Sequence, residues 1–301
     1  MKIKLPIIIL IFLIITGMTT GNIFADRLPY LIYILPGSTH FSEGDNLTGS
    51  MFAAGEIAFL ATGIAINGRL NSSMSEWNMP LLFAGQLYVI DKWNYIQEEN
   101  AEVKKIAEEN GRDFKYDPTP YNELLKAPFE PDKALCPFVL LMGALGIADG
   151  ASTHVSGTKV FNDIFHVRAL GTKMSRDQGT LYYETMSFGA SYGAGVAEEM
   201  IFRGEILPLL DYKLGKEAGL AITAATFGAA HALNPGLGNP LSEVVFATLA
   251  GLAFGHEVQE DNYNIGKSVA GHFWYDFLAM TTNWLLDPAS NPIGIGIEFK
   301  I

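Results

Sequence analysis

Three short patterns in this chain gather side chains able to move protons: Glu198-Glu199-Met200-Ile201-Phe202-Arg203, Phe227-Gly228-Ala229-Ala230-His231 and His272-Phe273-Trp274-Tyr275-Asp276. A carboxylate and an imidazole sharing a water can deprotonate it for attack on an amide carbonyl, and further donors can then hold the oxyanion. Each pattern lies in an apolar, helix-compatible stretch, where residues i and i+4 share a face. His272 therefore projects with Asp276, Phe227 with His231, and Glu199 reaches Arg203. Three helices can aim Glu198, His231, His272 and Asp276 at one cavity. Glu198 and Glu199 diverge by about 100° on a helix, so one carboxylate can face the cavity while the other takes Arg203 as counter-ion. Two unpaired buried carboxylates would instead repel.

The elements that must carry these residues recur as apolar segments at 51–68, 77–96, 134–150, 180–202, 218–233, 241–256 and 268–286. Glu56, Asp91 and Glu184 lie in them beside the motif residues, and ionisable groups in such surroundings are costly unless they face a protein interior or a wet cavity. The expected fold is all-α, a polytopic membrane helical bundle with an amino-terminal signal or anchor; a large soluble helical protein is the alternative. Lys2 and Lys4 precede a run without charge from Leu5 to Ala25, which reads as a signal peptide cut after Ala25 or as an uncleaved anchor of bilayer-spanning length.

The expected organisation is a signal or anchor at 1–25, a membrane-associated region at 26–133 whose charged part, 97–133, is a solvated helix and loop, a helical core at 134–286 and a tail at 287–301. Alternation of Ile293, Ile295, Ile297 and Phe299 suggests a short strand in that tail. His40, beside the helix-breaking Pro36-Gly37, reads as a surface or interfacial residue. Lys159, Arg168, Lys173 and Arg176 before one apolar segment oppose Lys213 and Lys216 after it, so no orientation follows from basic residues.

With 301 residues, 49% hydrophobic and 17% charged, the chain can build a large core and is poorer in charge than the roughly 25% of soluble domains. Twenty Lys and Arg against 32 Asp and Glu leave a net charge of −12, which excludes a basic surface for nucleic acid. Cys136 is the single cysteine, so neither an intramolecular disulfide nor a CxxC centre is available.

The three patterns, in this order, resemble the E-E-x-x-x-R, F-x-x-x-H and H-x-x-x-N/D signatures of the CPBP family of CAAX-prenyl endopeptidases and bacteriocin-processing (Abi-type) enzymes, over about residues 180–286 and including the break Asn234-Pro235-Gly236-Leu237-Gly238-Asn239-Pro240. The resemblance implies a multi-pass intramembrane peptidase of the glutamate type, in a membrane of the bacterial inner type, acting on a protein or peptide. By that likeness Glu198 and His231 activate the water, His272 and Asp276 line the oxyanion side, and Glu199, Arg203 and Phe227 support them without a cofactor. Asp276 stands where many members carry Asn. An ionised Asp cannot donate a hydrogen bond, so it must be protonated, orient His272 or bind something positive.

Three other readings fit the same residues. Gly189-Ala190-Ser191-Tyr192-Gly193 spells a nucleophile elbow, making Ser191 the candidate of a rhomboid-like serine peptidase, although the small residues from Ser187 to Ala197 are also what close helix packing requires. Glu198, His231, His272 and Asp276 are all potential zinc ligands, so a membrane metallopeptidase is the second. The third is a non-catalytic scaffold. Glu184 reads as capping or pairing in the core, His154, His166 and His256 as solvated, and Tyr182, Tyr183, Trp274 and Trp284 as packing or interfacial aromatics.

Overall fold

The computed structural model describes residues 35–67, 79–152, 154–232 and 240–300. The apolar run to Ala25 and most of the break at 234–239 lie outside them. Nine longer helices dominate the described residues: α1 Asn46–Asn67, α2 Met79–Asp91, α3 Trp93–Glu109, α4 Pro137–Ser152, α5 Arg176–Glu199, α6 Leu207–Leu214, α7 Lys216–His231, α8 Pro240–Glu260 and α9 Gly266–Leu286. Two helical runs, Asn46–Ala65 and Leu241–Glu260, are long and apolar enough to cross a bilayer. Leu47, Met51, Ile57 and Ile64 on the first and Leu241, Val245, Phe246 and Leu249 on the second turn outward.

Helix α9 is the axis of the bundle. Small residues let its neighbours approach: a Cβ on Gly146 of α4 would fall 2.2 Å from the Tyr275 carbonyl oxygen, and one on Gly195 of α5 2.9 Å from the Phe273 nitrogen. On another face of α5, a Cβ on Gly193 would lie 2.0 Å from Gln86 Oε1 of α2, and Gln86 Nε2 donates to the Ala190 carbonyl at 3.1 Å. The small-residue run of α5 is therefore a packing face, as its composition predicts. The same helix starts on a capping box, with Ser175 Oγ accepting from the Gln178 N–H and Gln178 Oε1 from the Ser175 N–H.

The all-α expectation omits a small antiparallel sheet of order β2-β1-β3, built from β1 Ile164–Ala169, β2 Thr172–Ser175 and β3 Gly296–Phe299. The strand expected in the tail is β3. The β1–β2 hairpin turns on Leu170 and Gly171, both at positive φ, which matches the right-handed twist of the strands. Glu298 joins the three strands, accepting from Arg168 Nη2 at 2.6 Å and Lys173 Nζ at 2.8 Å. The Lys173 and Arg168 bonds pull its carboxyl down to about 2. Because this folded value lies below the unfolded one, its stabilisation is complete above the ordinary carboxylate range and lost as pH falls toward 2. Amide exchange in β1 should thus be faster in Glu298→Gln than in the wild type at pH 6, with the difference nearly gone at pH 2.

Within residues 97–133, the end of α3 is followed by a loop and short helical turns at Tyr121–Leu124, Ala127–Phe129 and Pro131–Ala134, and this segment docks on the core rather than standing free in solvent. Trp93 is buried with its indole N–H donating to the Thr119 carbonyl at 2.8 Å, and Asp117 Oδ2 accepts the Ile265 N–H at 2.7 Å at the entrance to α9. His40 departs from its expected surface place: it is 2% exposed, stacked on Phe52 at 5.0 Å and edge-on to Tyr121. It belongs to a buried polar group with Glu56, Asp91 and Lys92, because the Pro36-Gly37 break turns the chain back onto α1 and α2 rather than out to the surface.

Candidate active site

The Glu-Glu motif sits where α5 changes pitch. Residues Met200–Ile206 form a π-helical segment, a widened turn common at functional sites. Pro208 supplies a cause: lacking an N–H, it leaves the Gly204 carbonyl without its ordinary helical donor. Asn100 Nδ2 of α3 takes that carbonyl at 3.0 Å, while the Trp93 ring closes over Gly204.

Glu199 and Arg203, one wide turn apart, are both fully buried and paired, Nη1 to Oε1, at 2.9 Å. Arg203 Nη2 also donates to the Gly251 carbonyl of α8 at 3.3 Å, and its guanidinium lies 4.4 Å from the Phe227 ring centre and 5.3 Å from that of Phe254. Glu199 has two further partners on α9: His272 Nδ1 at 2.8 Å and the Ser268 hydroxyl. The pairing that the i,i+4 spacing predicts is present, and with it a link to His272 that the spacing alone does not reveal.

Both motif histidines have their Nδ1 fixed. His231 Nδ1 lies 2.9 Å from the Phe227 carbonyl, which can only accept, and His272 Nδ1 meets a carboxylate already paired with Arg203. Each Nδ1 therefore carries the proton, and the Nε2 atoms are left for chemistry. His272 Nε2 faces Asp276 Oδ2 at 3.5 Å. Phe227 packs against the Arg203 guanidinium and both rings, 4.5 Å from His231 and 6.0 Å from His272, and Phe254 stacks on His272 at 5.4 Å.

Glu198 Oε2 is buried without a hydrogen-bond partner. It lies within reach of the charges of Arg203, His272 and Asp276, and His231 within reach of that of Asp276. Glu198 on α5 and His231 on α7 thus lie within electrostatic range of Asp276 on α9. Ser191 does not join them: it is fully buried with its hydroxyl turned to Met280 Sδ at 3.9 Å. Ser191→Ala should therefore leave any hydrolytic activity of the site in place, whereas labelling of Ser191 by a serine-directed probe would restore the serine reading. Glu184, expected to pair in the core, accepts from Thr281 Oγ1 at 2.9 Å.

Sequence reasoning missed Ser268, Phe254, Gly251 and Asn100. Only Ser268 left a local signal, since it precedes His272 by four residues and so shares its helix face. Among the described residues, no group of three or more His, Cys, Asp or Glu is arranged to hold a metal ion.

Residues 183–278 match the family described as type II CAAX prenyl endopeptidase Rce1-like, about a third of the chain. All three motifs fall inside the match, and the resemblance read from them holds over this segment. No curated protein and no solved structure matches the chain significantly.

Proposed function

We propose that this chain is a multi-pass intramembrane endopeptidase of the CAAX-protease type, which hydrolyses a peptide bond with a water activated by Glu198 and His231. The observation that carries the reading is the division of labour between the two adjacent glutamates. Glu199 is consumed by Arg203, His272 and Ser268, whereas Glu198 keeps a buried oxygen without a partner in the same cluster. A carboxylate with an unclaimed buried oxygen and an imidazole whose Nδ1 is already engaged are the two kinds of group that general-base activation of water requires. The match at 183–278 supports the reaction class, and the outward apolar faces of α1 and α8 support the bilayer as its setting. The substrate is a protein or peptide segment entering from the membrane, and no metal takes part.

His272 and Asp276 supply the oxyanion side. With Nδ1–H given to Glu199, one proton is left for His272 Nε2 and Asp276 together, held by Asp276 as a neutral donor that turns to the oxyanion or by His272 as a cation. We assign it to Asp276, because Asn is the family alternative, and a donor is what Asn and protonated Asp have and ionised Asp lacks. Asp276→Asn should then keep activity within about tenfold of the wild type and lose the pH dependence that titration of Asp276 gives. Severe loss at every pH would overturn the donor role and make the carboxylate an orienting partner of a charged His272. A peptide-cleavage assay in detergent or liposomes, run across pH, decides between them.

A further inference from the structure

We propose that Ser268 is a positioning residue of this site: by donating to Glu199 Oε2 it holds the carboxylate that sets the ring orientation and tautomer of His272. The inference rests on the peptidase reading for its consequence in catalysis, but not for its geometry. Ser268 is fully buried on α9, four residues before His272 and eight before Asp276, so the three occupy successive turns near one face.

The carboxylate of Glu199 is held at both oxygens. Its Oε1 receives Arg203 Nη1 at 2.9 Å and His272 Nδ1 at 2.8 Å, and its Oε2 receives the Ser268 hydroxyl. The terminal torsion of a glutamate is soft. With Oε2 released, the carboxylate can rotate and exchange its oxygens between Arg203 and His272, and the Nδ1–H of His272 loses an acceptor of fixed direction. Phe254, stacked at 5.4 Å, and Phe227, edge-on at 6.0 Å, hold the ring plane. Neither specifies which nitrogen carries the proton. Ser268 does so through Glu199, in the way outer partners of metal-bound histidines fix their tautomer.

Ser268→Ala removes one atom and leaves the backbone packing alone, so the variant should fold. Measured on the full chain in detergent, kcat should fall by about tenfold with KM unchanged, in the range typical of outer-partner substitutions. In ¹⁵N spectra of histidine-labelled protein, with the His272 signals assigned by their disappearance in His272→Gln, the Nδ1–H tautomer should give way to a mixture. Ser268→Thr, which keeps the hydroxyl, should restore both readouts. An unchanged His272 tautomer in Ser268→Ala overturns the proposal, as does a kcat loss that Ser268→Thr fails to relieve while folding normally. The spectroscopic readout needs no turnover, so absence of peptidase activity in the wild type would count against the proposed function alone.

Discussion

Glu198→Gln is expected to lower kcat by about a hundredfold or more, and His231→Ala to do comparable damage, in the range that general-base groups contribute. Glutamine preserves the volume and the polarity of the side chain and removes only its ability to take a proton. If Glu198 and His231 act on one water, the double variant should be little worse than either single one, because groups that work as a unit are not additive. Progress curves on a cleavable peptide, normalised to folded protein, measure all three. Chelators should leave the wild-type rate unchanged; activity lost to a chelator and restored by zinc would transfer the reaction to a metal centre.

The choice of Glu198 over its neighbour is the sharpest part of that expectation. Placing the base at Glu199 would require that carboxylate to give up Arg203, His272 or Ser268 at the moment of reaction. A carboxylate stabilised by a guanidinium and further donors is a weak proton acceptor. Glu198 carries no comparable commitment on its Oε2. Full activity in Glu198→Gln would therefore refute both the assignment and the rule of helix geometry used to reach it.

Much of this was legible in the sequence, because it depends on local periodicity. A four-residue spacing in an apolar helix fixes which side chains share a face, and that alone pairs Glu199 with Arg203 and His272 with Asp276. What crosses between helices was not legible. Asn100 reaches the Gly204 carbonyl from 104 residues away, and the need for it arises from Pro208, whose effect on the preceding turn has no signature of its own in the pattern of apolar residues. The sheet escaped for a related reason: β1 has only six residues, and its main support, Glu298, comes from the far end of the chain. His40 was misread because a Pro-Gly break marks where a helix stops and not where the chain goes next.

Arg203 carries the largest expected effect on stability. It is fully buried, and Glu199 beside it is equally enclosed, so removing the cation strands a carboxylate in an apolar interior. Loss of one partner of such a pair costs about 3–5 kcal/mol, whereas replacing both by apolar groups of similar volume is often neutral. Arg203→Met should thus unfold far more readily than the wild type in mixed-micelle denaturation, and Glu199→Leu/Arg203→Met should recover much of the loss. Activity should not recover with it, since the double variant still lacks the acceptor for His272 Nδ1. Stability and activity then separate, which identifies the ion pair as a cost accepted to orient His272 rather than as the source of the fold's stability. A double variant as unstable as Arg203→Met would mean instead that the guanidinium's own contacts, the Gly251 carbonyl and the faces of Phe227 and Phe254, hold α5, α7 and α8 together.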